Sequence, residues 1–162
     1  MPEEAESFLQ HIRVGAERAG RSLSDIELQV AGGSVWFTDD VDEALKVLRS
    51  GVAFSLGAMG SRRFNFYNAA YRRQGYADEA LEVQRLWLEG RREEARERVP
   101  LDLVGKVNLV GSDEMVKARL RIHRDVGISL LYINPHGDTL SERLDTLGRV
   151  VQLVDEVTAE SG

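Results

Sequence analysis

The chain contains no cysteine and only three histidines in 162 residues. The missing thiols exclude disulfides, thiolate zinc sites and cysteine nucleophiles in one step. With so few imidazoles a His-rich metal centre is also disfavoured, and no metal ligand is assigned. Basic charge is short as well. The 21 Lys and Arg face 27 Asp and Glu, which leaves a net charge of -6 and a pI near 5.2. A general nucleic-acid binder or a polybasic membrane adherent needs the opposite sign to engage phosphate. No apolar run approaches the ~18 residues of a bilayer span. The opening MPEEAESF lacks the basic and apolar regions of a secretory signal. The expected partners therefore include neither nucleic acid nor membrane, and the expected location is cytoplasmic.

What is present suffices for a core. Hydrophobic residues at 43% and charged residues at 30% place the chain among globular domains, and the length fits one domain, residues 1–162. Residues 3–19 read as an amphipathic helix with Phe8, Leu9, Ile12 and Ala16 on one stripe and Gly20 as its stop. IELQVAGGSVWFT, residues 26–38, is the best strand, with Gly32-Gly33 marking a bend or a close approach. Thr38-Asp39-Asp40 caps a helix carrying Val41, Ala44, Leu45 and Leu48. Helical stretches flank a Gly-Ala-Met-Gly break at 57–60, and further helices cover 78–89 and 91–98, the last ended by Pro100. Residues 103–110 read as extended. Ser112 caps a helix with Met115, Val116, Leu120 and Ile122 inward and Gly127 beyond it. The apolar run 128–133 predicts a parallel strand buried on both faces. A last helix carries Leu140, Leu144, Leu147, Val151 and Val154 on one face. Strands separated by helices predict a helix-rich α/β chain with a parallel sheet.

Several passages resemble a known family. AGRSLSDIE, GAMGSRRFNFYN, VPLDLVGKVNLVGS and DVGISLLYINP are similar to the C-terminal part of luciferase-like monooxygenases, in particular the coenzyme F420-dependent oxidoreductases. The likeness runs over residues 8 to 155. It implies a partial (β/α)8 TIM barrel: the last βα units with a long helical insertion, strand 26–38 as the seventh and 128–133 as the eighth. A complete barrel needs ~250 residues, and the first six strands have no counterpart in this sequence. The implied function is a C-terminal fragment or split subunit of an F420-dependent or flavin mononucleotide (FMN)-dependent oxidoreductase acting on a small organic molecule. Such a chain is expected to be inactive alone. Exposed strand edges then call for a homodimer or a complementary N-terminal barrel chain. The alternative is a non-catalytic interaction module derived from the family, with residues 51–90 as its contact region.

Function in a barrel sits at the C-terminal ends of strands, which selects Thr38, Asp39, Asn134, His136 and Asp138. His136 is the histidine so placed, as a cofactor or substrate contact or as a solvated loop residue. Asp39 and Asp40 read as helix caps, and His11 and His123 as ordinary helix residues. Arg62, Arg63 and Asn65 suit the phosphate and polyglutamate tail of a deazaflavin, because guanidinium forks bind such oxygens in pairs; an exposed basic face is the other reading. Phe64, Phe66, Tyr67 and Tyr71 either stack on a ring system or pack. No residue is assigned as catalytic: no Ser/His/Asp set, paired carboxylate or Walker loop stands out.

Overall fold

A computed structural model describes residues 1–60 and 64–160. In chain order the elements are α1 (Glu6–Arg18), β1 (Gln29–Phe37), α2 (Val41–Gly57), α3 (Phe66–Arg73), α4 (Ala77–Leu88), α5 (Arg92–Glu97), α6 (Leu101–Lys106), β2 (Leu109–Gly111), α7 (Asp113–Asp125), β3 (Leu130–Pro135) and α8 (Leu140–Ala159). The chain is α/β and rich in helix. It divides into two compact units, residues 1–39 with 107–162, and residues 40–106.

In the first unit the sheet has the order β2-β1-β3, with both ladders parallel. Val35 pairs with Leu109 on one side and Pro135 on the other. The β1–β3 register slips between Ala31 and Gly33, so Gly32 is the extra residue of a bulge. Gly33 takes φ +69, and a Cβ on it would lie 2.1 Å from the Val107 carbonyl oxygen. The glycine pair therefore bends the strand and admits the chain's own backbone, which settles the choice left open by the sequence. Val35, Leu109, Val116, Leu120, Val150 and Leu153 form the core, with Phe37, Leu131 and Ile133 packed on it.

Capping fixes where the helices begin. Ser112 accepts from the Met115 N–H at 3.4 Å. Thr139 and Glu142 form a reciprocal box, in which the Glu142 carboxylate accepts from the Thr139 N–H at 2.9 Å and the Asp138 N–H at 2.7 Å. Asp40 accepts from the Glu43 N–H at 3.2 Å and starts α2.

The second unit packs α2 against α4, α5 and α6 around Ala53, Leu56, Val83, Val99 and Leu103. α2 runs unbroken through Gly51 to Gly57. There a Cβ would stand 2.4 Å from the Trp87 ring, so the glycine is what lets the indole lie on the helix.

Three sequence expectations are corrected. Residues 103–110 are not one extended segment: α6 starts after Pro100, whose carbonyl accepts from the Val104 N–H at 3.2 Å, and only 109–111 are strand. Proline opens a helix there as well as closing one, because its missing N–H is not needed in a first turn. The strand read at 128–133 lies at 130–135 and is not buried on both faces. Leu131 and Ile133 meet the core, whereas Leu130 is 49% and Tyr132 60% exposed. Helices pack on one side of it only, among the described residues. On α7 Met115, expected inward, is exposed; on α8 the buried residues are Val150, Leu153 and Val157, and the face shared by Leu140, Leu144, Leu147, Val151 and Val154 is exposed. The apolar arc of that helix is wider than the surface its own unit offers.

Candidate functional site

Side chains alternate along a strand, and the alternation sorts the sheet into a packed and an open face. Val35, Leu131 and Ile133 point to the helices. Leu130, Tyr132 and Asn134 stand on the opposite, exposed face. At the C-terminal end of that face the Trp36 indole and the His136 imidazole stack, with centroids 3.6 Å apart and planes 16° from parallel. Both residues are half-buried.

The loop carrying His136 is held on both sides. Its N–H donates to the Val35 carbonyl at 2.9 Å, and its carbonyl accepts from the Thr146 hydroxyl at 2.9 Å. The Thr139–Glu142 box closes the loop behind it. The Glu142 carboxyl is held below its usual range, chiefly by the Thr139 N–H and then by that of Asp138. On the packed side, the Arg149 guanidinium lies 4.0 Å over the Phe37 ring and its Nε donates to Asp113 at 2.7 Å. This cation–π contact ties α8 to the end of β1. The imidazole is thus offered in a fixed plane, with an aromatic neighbour, next to the open face.

The other sequence candidates fare differently. Arg62 and Arg63 lie outside the described residues. Asn65, in the second unit, is 9% exposed and engaged at both ends of its amide. Its Oδ1 caps α3 by accepting from the Asn68 N–H at 3.0 Å, and its Nδ2 donates to the Leu56 carbonyl at 2.8 Å. Asn68, not singled out from sequence, is buried and donates to the carbonyls of Leu56 and Ala80 at 3.1 and 2.6 Å. Phe64, Phe66 and Tyr67 are exposed, with Phe66 and Tyr67 edge to face. Thr38 donates its N–H to Gly111, and Asp39 and Asp138 are exposed. Trp36 and Tyr132 were missed as site residues; the signal was their parity with His136 along the two strands.

Two further polar groups serve the fold. The Tyr76 hydroxyl donates to Asp102 at 2.6 Å and accepts from Lys106 at 2.9 Å, and burial pushes its pKa up, so it stays a neutral donor. His123, far from ordinary, is 4% exposed with Nδ1 on the Arg119 carbonyl at 2.8 Å. Burial, the largest influence, lowers its pKa below 6.5. The folded state therefore resists protonation at His123 while the unfolded chain accepts it. Its contribution to stability is complete above pH ~6.5 and is lost as pH falls from there toward the lowered folded value. Melting temperatures taken from pH 7.5 down to 5.5 should decline, and His123→Leu should flatten that slope; an unchanged slope in the variant would remove His123 as its cause.

Among the described residues no three His, Cys, Asp or Glu side chains converge as a metal site, and no helix is long and apolar enough to cross a membrane. The profile of the luciferase-like monooxygenase family matches residues 1–130. A Mycobacterium tuberculosis protein, assigned by name to the coenzyme F420-dependent oxidoreductases, is 31% identical over 134 residues, which are 82% of this chain and 38% of the relative. The chain thus spans well under half the length of that relative. No solved structure matches it. An α/β chain with a parallel sheet, matched over most of its length by the family profile and by this relative, belongs to the luciferase-like monooxygenase family.

Proposed function

We propose that this chain forms one wall of a deazaflavin site in an F420-dependent luciferase-like oxidoreductase, and that turnover on a small organic substrate requires the further strands of a (β/α)8 barrel. The observation that carries the reading is the Trp36–His136 stack at the C-terminal end of the open sheet face. A planar tricyclic ring fits beside a fixed aromatic plane, with the Tyr132 ring and the Asn134 amide further along the same face. F420 is favoured over FMN by the name of the relative. When bound, the reduced deazaflavin supplies a hydride; Trp36 and His136 orient the ring plane.

The test is a fluorescence titration of the Trp87→Phe variant, in which Trp36 is the remaining tryptophan. F420 should quench Trp36 with a micromolar dissociation constant. His136→Ala should weaken binding about fivefold, the size of one lost aromatic stack. Absence of quenching by both F420 and FMN up to millimolar concentration would sink the proposal and leave a non-catalytic interaction module. The exposed Phe54, Phe64 and Phe66 of the second unit favour that second reading.

A further inference from the structure

The acidic excess of the chain lies in its first unit. The second unit sorts its charges along the sequence. Its later helices neutralise themselves: Arg85 pairs with Glu82 and Glu89, Arg91 with Glu94, and Arg96 with Glu93. Between Glu43 and Asp78, by contrast, the sequence holds no acidic residue. Arg72 and Arg73, in the last turn of α3, are exposed and make no ion pair among the described residues. Two guanidiniums exceed the half charge that a helix end takes up. The same stretch displays apolar side chains. Phe64 is 84% and Phe66 70% exposed, and the Phe66 and Tyr67 rings meet edge to face at 5.7 Å. Gly60, at φ +124, lets the Phe64 backbone lie against the end of α2, where an added Cβ would stand 2.2 Å from the Phe64 carbonyl oxygen. That approach sets the exposed Met59 next to Phe64. On α3, Phe66, Ala69, Ala70 and Arg73 stand at i, i+3, i+4 and i+7 and share one face, turned away from the buried Asn68. The base beneath is fixed, because the Asn65 and Asn68 amides hold the carbonyls of Leu56 and Ala80. An apolar patch edged by unpaired charge marks a surface for another molecule.

We infer that this face of α3, with the α2–α3 junction, docks an acidic amphipathic helix of a partner protein. Its apolar anchors sit on Met59, Phe64 and Phe66, and its carboxylates on Arg72 and Arg73. The docking uses residues of the second unit alone, so it stands or falls apart from cofactor binding. Three observations choose the occupant. Seven residues of helix set Phe66 and Arg73 about 10 Å apart along the axis, the interval between an apolar anchor and a carboxylate two turns on in a partner helix. Rings as exposed as Phe64 and Phe66 stay wet against a small molecule, which binds where most of its own surface is enclosed; a chain segment covers them. A bilayer or a nucleic acid presents many anionic groups at once, and the net charge of -6 opposes approach to either. One short helix meets only the local charge, because the fields of exposed charges fade over about 8–10 Å.

The test is fluorescence anisotropy of the full chain with a labelled synthetic peptide of about 18 residues, five helical turns, leucine along one face and glutamate along the other. A dissociation constant of about 10 μM is expected at low salt, rising about fivefold in ~0.5 M salt. Arg72→Gln with Arg73→Gln should weaken binding about tenfold and flatten that salt dependence. Phe66→Ser should weaken it about fivefold while the circular dichroism of the chain is unchanged. Arg18→Glu, at an exposed position on α1, should leave it within about twofold. Absence of binding at millimolar peptide overturns the inference, as does binding indifferent to the Arg72, Arg73 and Phe66 substitutions. Equal binding of the same peptide with lysine in place of glutamate overturns it too, since charge would then play no part. Tighter binding of phosphatidylglycerol vesicles or of oligothymidylate, lost on the same substitutions, also overturns it and assigns the face to that class of partner.

Discussion

Gly33→Ala should lower the unfolding free energy of the first unit by about 3–4 kcal/mol, combining a left-handed backbone penalty with overpacking. The residue holds φ +69, and its Cβ position lies 2.1 Å from the Val107 oxygen and 2.5 Å from Asn108 Oδ1. The first obstacle is backbone, which cannot rotate away. The second is the amide oxygen that accepts from the Ser34 N–H at 2.8 Å, so relieving the clash also breaks a half-buried hydrogen bond. Gly32→Ala is the internal control. Its Cβ would meet the Ile133 Cγ2 methyl at 3.1 Å with no left-handed φ, a contact that a small side-chain shift relieves at a cost below about 1 kcal/mol. Urea unfolding followed at Trp36 in a Trp87→Phe background measures both. Equal losses at the two positions would show that the bulge tolerates a side chain and that the close approach is not a constraint.

The same glycine pair shows what sequence can and cannot convey. A Gly-Gly inside a strand announces that the ladder is interrupted, but whether backbone or ligand fills the space is decided by residues 107 and 108, some seventy positions away. Local signals were legible wherever the cause is local. Asp40 and Ser112 cap the helices expected of them because a short oxygen-bearing side chain reaches an N–H three residues on. The strand through Val35 was legible from its β-branched and aromatic content. The failures share a different cause. Residues 128–133 read as buried on both faces, since apolar residues record where a chain is prepared to be covered. Coverage itself depends on neighbours, and the described residues supply none for Leu130, Tyr132, Leu144 or Val151. Hydropathy thus marks an apolar surface whose cover the described residues do not supply.

The candidate site was legible to a similar depth. The rule that function gathers at the C-terminal ends of barrel strands picked out His136, and the structure gives that imidazole a partner ring. It did not pick out Trp36, because the face of an isolated strand is ambiguous when a bulge at Gly32 shifts the alternation by one residue. Asn65 was placed beside the arginines by sequence proximity, whereas its amide is spent on the α2–α3 junction. An amide has both donor and acceptor, so it serves a cap and a carbonyl at once, and composition alone does not distinguish that use from ligand binding.

That junction predicts the second large effect. Asn68→Asp should destabilise the second unit by about 3–5 kcal/mol at neutral pH, the range for an uncompensated buried charge. The Asn68 Nδ2 donates to the Leu56 and Ala80 carbonyls at 3.1 and 2.6 Å from a site 2% exposed. A carboxylate of the same shape donates nothing and sets negative charge against two carbonyl oxygens. Burial and these oxygens both raise the folded pKa of the new carboxyl above its unfolded value. The penalty is therefore largest above that raised pKa and shrinks as pH falls through it, because the protonated acid regains one donor. Asn65→Asp makes the sharpest comparison. It loses one bond to the Leu56 carbonyl but keeps the oxygen that caps α3, where negative charge suits the helix start, and should cost only about 1 kcal/mol. Urea unfolding at pH 5 and pH 7.5, followed at Trp87 in a Trp36→Phe background, resolves the pair. If Asn68→Asp proved as mild as Asn65→Asp, the buried amide would not be the clamp that fixes the end of α2 to α3 and α4.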